Sequence, residues 1–229
     1  MGPMPFLTFP DLIQRKTIEN LNLKDLLFVV QKHKLLMNSL EVNRLHYWKY
    51  INHVEKLHIG YPHHNMKITL SAELADIVLN NTTADIAEFS LTTENFKNSV
   101  PMKYKSISAF APTWLSFDSV LNSETEKFNF QLYRPTNLEF NSLIKTWLSG
   151  EKLSKLRLFV TTFDPVGNTH TIDEDIPCFD WDIANRPRNL GLVDLSRGRD
   201  IRRGTDNAIA TIFIDVRSLR FVVWNAENE

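Results

Sequence analysis

Cysteine is almost absent from this chain. The single Cys178 in 229 residues excludes an internal disulfide and any site built from several thiolates. Glycine is scarce too, with 7 residues beside 10 prolines, so the chain reads as ordered and offers no Gly-rich phosphate loop. No uninterrupted apolar run approaches the ~20 residues that span a bilayer. The opening Met1-Gly2-Pro3-Met4-Pro5-Phe6 lacks the basic and apolar stretches of a secretory signal. Charge of one sign is not in excess either. The 26 Lys and Arg face 27 Asp and Glu, for a formal net charge of −1, which removes any global pull toward nucleic acid or anionic lipid. These absences predict an intracellular protein, cytoplasmic or nuclear, with no nucleic-acid or membrane partner. What is present is 43% hydrophobic side chains, enough for one substantial core or two modest ones.

From Thr8 to about Val30 the pattern is helical. Thr8 can cap a helix, with Pro10 in the first turn and Asp11 three positions on. Phe9, Leu12, Ile13 and Leu21 follow as an approximate stripe. Asn22 and Asp25 repeat the cap, and Leu23, Leu26, Leu27 and Val30 fall on one helical face. Two short helices therefore meet at Asn22 in a sharp corner. A further helix is predicted over Leu36 to Val54.

From about Glu55 the texture changes to short apolar or alternating runs. Strands are predicted over Lys56 to Tyr61, Lys67 to Leu70, Ile86 to Leu91, Ser106 to Phe110, Lys127 to Leu132 and Lys155 to Thr161. Between the last two lies a helix, Leu138 to Leu148, with Leu143, Ile144, Trp147 and Leu148 on one face and Gly150 as its stop. Strand–helix–strand order favours right-handed crossovers and parallel pairing. Strand starts recur at roughly 20 to 30 residues, which points toward a leucine-rich-repeat-like stack without that family's asparagine ladder. Gly167 to Thr205 is the least regular stretch, and Ala208 to Val216 with Leu219 to Trp224 reads as a closing hairpin. The expected fold is α+β or α/β. A small helical module over 5–54 precedes a domain over 55–229 of short, partly parallel strands with crossover helices.

Two pieces resemble a known family. Phe9-Pro10-Asp11-Leu12-Ile13, then Leu21, then Lys24-Asp25-Leu26-Leu27 is similar to the F-box motif. Asn137-Leu138-Glu139-Phe140-Asn141 with Lys145, Trp147 and Gly150 resembles the F-box-associated (type 2) domain expanded in nematodes. So do Asp200-Ile201-Arg202-Arg203, Ala208 to Ile212, and Phe221-Val222-Val223-Trp224. The resemblance implies a substrate-recognition adaptor of a Skp/cullin/F-box ubiquitin ligase. Phe9, Pro10, Ile13, Leu21, Leu26 and Leu27 would face a Skp-family adaptor, and the C-terminal domain would hold a target protein. Where the family's third helix carries a small polar residue, a cysteine and a tryptophan, this chain reads Phe28-Val29-Val30-Gln31-Lys32-His33-Lys34-Leu35-Leu36. That departure opens the alternative of a degenerate F-box protein acting as a stand-alone binding or sequestering module.

Other residues suggest chemistry less well. His46, His53, His58, His63 and His64 cluster in sequence, but steps of five do not stack on a helix face and no zinc spacing is completed. Cys178 near His170 and Asp173 sits in apolar Ile176-Pro177-Cys178-Phe179, the setting of a core filler. Asp173, Glu174, Asp175, Asp180 and Asp182 lack calcium-loop spacing and read as a solvated loop, or as partners of Arg186, Arg188, Arg197, Arg199, Arg202 and Arg203. A hydrolase or nuclease built on Asp173 to Asp182 is the weakest reading. No catalytic residue, metal site or cofactor is expected. Trp147 and Trp224 are expected in the core, whereas Trp114 and Trp181, in irregular surroundings, are the candidates for contact with a target.

Overall fold

Apolar side chains at alternate positions give successive strands one buried face and one outward face. The computed structural model describes residues 35–37, 53–59, 68–93, 95–163, 175–180, 189–190 and 193–224, which form an α+β fold with a large mixed sheet. The first strands are β1 (Leu35–Met37), β2 (His53–Ile59), β3 (Ile68–Leu70), β4 (Thr83–Phe89) and β5 (Leu91–Thr93). Then come β6 (Tyr104–Phe110), β7 (Lys127–Gln131), β8 (Leu158–Thr162) and β9 (Phe179–Asp180). The last are β10 (Asn189–Leu190), β11 (Val193–Asp194), β12 (Arg199–Arg202), β13 (Ile209–Asp215) and β14 (Ser218–Trp224). Among the described residues the helices are α1 (Ala72–Asn81), α2 (Phe117–Leu121) and α3 (Asn137–Ser149).

Ten strands make one sheet in the order β1-β2-β4-β6-β7-β8-β14-β13-β12-β9. From β1 to β8 the neighbours follow chain order and every pair is parallel. From β8 onward every pair is antiparallel, including the expected β13–β14 hairpin. Small strands β3 and β5 pair parallel outside the main sheet, so the segments that return from β2 and β4 also lie side by side. One cross-strand row runs through Leu57, Ala87, Ile107, Phe128, Phe159, Phe221 and Ile212. Each of these is at most 2% exposed, so a single continuous core unites the parallel and antiparallel halves.

Phe159 on β8 is the centre of that core. Its ring lies 5.9 Å from those of Phe128, Phe130 and Phe140 and 6.3 Å from that of Phe117. Helix α2 supplies Phe117 and α3 supplies Phe140, so these two of the three described crossover helices are pinned to the strand where pairing changes from parallel to antiparallel. Burying such a side chain stabilises the fold by about 1.5–3 kcal/mol.

Local chemistry sets the helix ends. Thr136 caps α3 by accepting from the Glu139 N–H at 3.1 Å, while Glu139 accepts from the Thr136 N–H at 2.7 Å. Gly150 ends α3 at φ 74°, and a Cβ there would lie 2.6 Å from Thr205 Oγ1, so both backbone and packing require glycine. At the ends of β6 and β7, Ala111 and Leu132 turn the chain through the left-handed region at φ 42° and 50°. The Ala111 N–H donates to the Gln131 carbonyl at 2.7 Å, which ties the two successive corners together.

Two expectations need correction. The helix expected over Leu36 to Val54 is strand at both ends, β1 at one and the start of β2 at the other. Pairing decides this, because β1 and β4 flank β2 and satisfy its backbone, and Val54 is fully buried. The boundary placed between residues 54 and 55 consequently falls inside β2. The irregular Gly167 to Thr205 stretch contributes β12 and β9 to the main sheet. The helical hook over Thr8 to Val30 lies outside the described residues.

Candidate protein-binding face

The core row leaves the alternate residues of each strand on the opposite side of the sheet. From β2 to β8 these include Lys56, Glu88, Ser108, Asn129 and Val160, and across β14 and β13 they continue as Arg220 and Phe213. Lys127 and Asn129 are exposed, and Ser106, Ser108, Leu158, Val160, Arg220 and Phe213 are half-buried. Ile86, also on this side, is 43% exposed. The result is a face with a half-exposed apolar band and scattered polar groups, covered where Val222 and Thr211 of the same side are buried.

Its β2 end is electrostatically closed. Lys56 Nζ meets Glu88 Oε1 at 2.5 Å and His58 Nδ1 meets Glu88 Oε2 at 3.0 Å. Burial alone would raise the Glu88 carboxyl, but the hydrogen bonds and charges of Lys56 and His58 outweigh it and hold the pKa below the ordinary value. His58 itself is 8% exposed, and its Nε2 is buried without an acceptor or donor. His53, five residues earlier on β2, pairs through Nδ1 with Thr83 Oγ1 at 2.9 Å on the exposed surface. Among the described residues no carboxylate hydrogen-bonds that imidazole.

At the far end the residues that carry the C-terminal family resemblance converge. Trp147 of α3 is fully buried, 5.3 Å from the Phe221 ring. The Arg203 guanidinium covers its other side at 4.6 Å and clamps Asp206 through Nε at 2.9 Å and Nη2 at 2.6 Å. Trp224 Nε1 donates to Thr211 Oγ1 at 2.7 Å, and Thr211 donates to Asp200 Oδ1 at 2.7 Å. Leu138, Arg202 and Lys145 of this set are exposed, Lys145 at the rim of a shallow depression with Asp118 and Glu151. The buried members of the set join α3 to the β12–β13–β14 sheet. Their work is structural.

Among the described residues, depressions of about 430 Å³ beside α2 and α3 and of about 350 Å³ beside β8, β14 and the 203–208 loop mark the surface. The charges of the second are paired, with Lys155 on Glu124 at 2.6 Å, Arg157 on Glu126 at 3.6 Å and Arg203 on Asp206 at 2.6 Å. Among the described residues no three His, Cys, Asp or Glu side chains gather in a metal-holding group. No helix among them is long and apolar enough to cross a membrane.

The sequence candidates fare differently. Trp114 is corrected: it is fully buried, edge-on to Phe89 at 5.6 Å, and has no surface to offer a target. Its proline-containing loop folds inward because Asn98 and Leu115 bridge, and the Asn98 N–H donates to the Trp114 carbonyl at 2.7 Å. Trp147 is core as expected, whereas Trp224 is half-buried and hydrogen-bonded. Cys178 is partly buried and packs on the core. Phe9, Pro10, Ile13, Leu21, Leu26, Leu27 and Trp181 lie outside the described residues.

Sequence reasoning missed the outward face. Its signal stood in the alternating runs: in Phe128-Asn129-Phe130 and Leu219-Arg220-Phe221 the polar middle residue points away from the core. In Leu156 to Val160 the misleading signal was three aliphatics at even spacing, although Phe159 is the core residue and Leu158 and Val160 face outward. Compared with family models, curated proteins and solved structures, the chain matches none of them.

Proposed function

We propose that this chain is a substrate-recognition adaptor of a Skp/cullin/F-box ubiquitin ligase and performs no bond chemistry itself. The hook over Thr8 to Val30 would engage a Skp-family adaptor through Phe9, Pro10, Ile13, Leu21, Leu26 and Leu27. The sheet domain, a stack of leucine-rich-repeat type in its parallel half, would hold the protein to be modified. The observation that supports this best is the outward sheet face, where Ile86, Leu158, Val160 and Phe213 stay partly exposed. An apolar band rimmed by polar groups suits a protein partner rather than a small substrate. Holding a target near a ligase raises its effective concentration at the transfer site.

Capture by a Skp-family adaptor tests the reading. Wild-type protein is expected to bind at micromolar concentration, and Pro10→Ala with Leu27→Asp to abolish capture while far-UV circular dichroism stays unchanged. Wild type that fails to bind any Skp-family adaptor at that concentration sinks the ligase reading. One observation favours the second reading, a stand-alone sequestering module. Leu35 and Leu36, where the family's third helix would run, belong to β1 of the main sheet.

A further inference from the structure

We propose that the outward sheet face takes an acidic segment of a protein partner, with a carboxylate of that partner seated on Arg220. This deepens the adaptor reading, whose target it would describe.

Arg220 lies mid-strand on β14, directly across from Val160 on β8 and Phe213 on β13. Its Nε is buried and has no hydrogen-bond partner among the described residues. Burial acts against its charge, and Asp215, at the β13–β14 turn, is the carboxylate that acts in its favour. Asp215 is already engaged there, accepting from the Val216 N–H at 2.7 Å. A guanidinium keeps its proton and carries five donors, so partial burial beside aliphatic and aromatic groups leaves a strong demand for an acceptor. Arginine is also among the residues on which binding energy concentrates.

The surrounding charge points the same way. On β7 the exposed Lys127 shares this side of the sheet, and the exposed amide of Asn129 sits across from Val160. The acid nearest on the β2 side, Glu88, is held by Lys56 and His58 and cannot answer them. Between β6 and β13 the outward residues thus carry Lys127 and Arg220 against Asp215 alone, at the rim. Two cations set among Leu158, Val160 and Phe213 do not make the row of charges that a nucleic-acid backbone requires. They do match a peptide that alternates aliphatic and acidic side chains, the first resting on Leu158 and Val160, the second reaching Arg220.

The test is selection of a phage-displayed random dodecapeptide library on the immobilised full-length chain, followed by fluorescence anisotropy with the enriched peptides. Enrichment of Asp and Glu beside aliphatics is expected. Arg220→Gln should weaken those peptides by at least about tenfold, and Lys127→Glu, on an exposed side chain that cannot disturb the core, by about threefold. Arg220→Lys should retain part of the affinity, and replacing the peptide's Glu by Gln should reproduce the loss. Peptides without acidic enrichment, no peptides at all, or equal binding to folded Arg220→Gln would each overturn the proposal. Adaptor capture read on the same preparations separates the two claims. Lost capture with intact peptide binding strikes the ligase reading alone, and the reverse strikes this inference alone.

Discussion

Arg203 illustrates how a charged side chain becomes part of a core. It is 6% exposed, yet its guanidinium has an aromatic face beneath it and a carboxylate in front, the arrangement that lets a buried cation keep its charge. Asp206 answers with a pKa lowered from 3.8 to about 2, chiefly through the hydrogen bond from Arg203. A depressed carboxylate pKa stabilises the fold above its unfolded value and loses that contribution as pH falls toward its folded value. Asp206→Asn should therefore melt below wild type at pH 7, with the gap closing between pH 3.8 and about 2. Because the Asp206 side chain is 50% exposed, the difference at pH 7 should stay below about 1 kcal/mol. Thermal melts across that pH range check both points. A gap that persists at pH 2 would assign the effect to packing. Neither partner was legible in the chain as a pair, since the arginines of that stretch were matched to the acids before them rather than to Asp206 after them.

At the scale of the element, α3 shows what local sequence resolves. Its apolar face and its Gly150 stop were readable from residue spacing, and both ends agree with expectation to within a residue. The reciprocal cap at Thr136 and Glu139 was readable in principle, because a Thr three residues before a Glu is the pattern of a capping box. Thr136→Ala should cost about 1 kcal/mol in chemical denaturation. Unchanged stability would mean that Phe140, Leu143, Ile144 and Trp147 hold the helix without its cap. Strand β8 shows the opposite case. Leu156 to Val160 offers apolar residues on both faces, and only the rings of Phe117, Phe128, Phe130 and Phe140 around Phe159 decide which one is buried.

At the scale of the molecule, that same phenylalanine joins the parallel and antiparallel parts of the sheet. Phe159→Ala should destabilise by about 3–5 kcal/mol and leave a single cooperative transition, with tryptophan fluorescence and far-UV circular dichroism melting together. Two separated transitions would show that the halves fold independently. The alternating runs determined by themselves that strands would form, roughly where, and that a hairpin would close the chain, because those depend on neighbours a few residues apart. Chain order also implied parallel pairing through crossovers. What only the tertiary structure decided depends on contacts between distant segments. It put strand at both ends of a predicted helix, Trp114 in the core and Arg220 on the open face, because burial is fixed by partners 20 or more residues away in sequence.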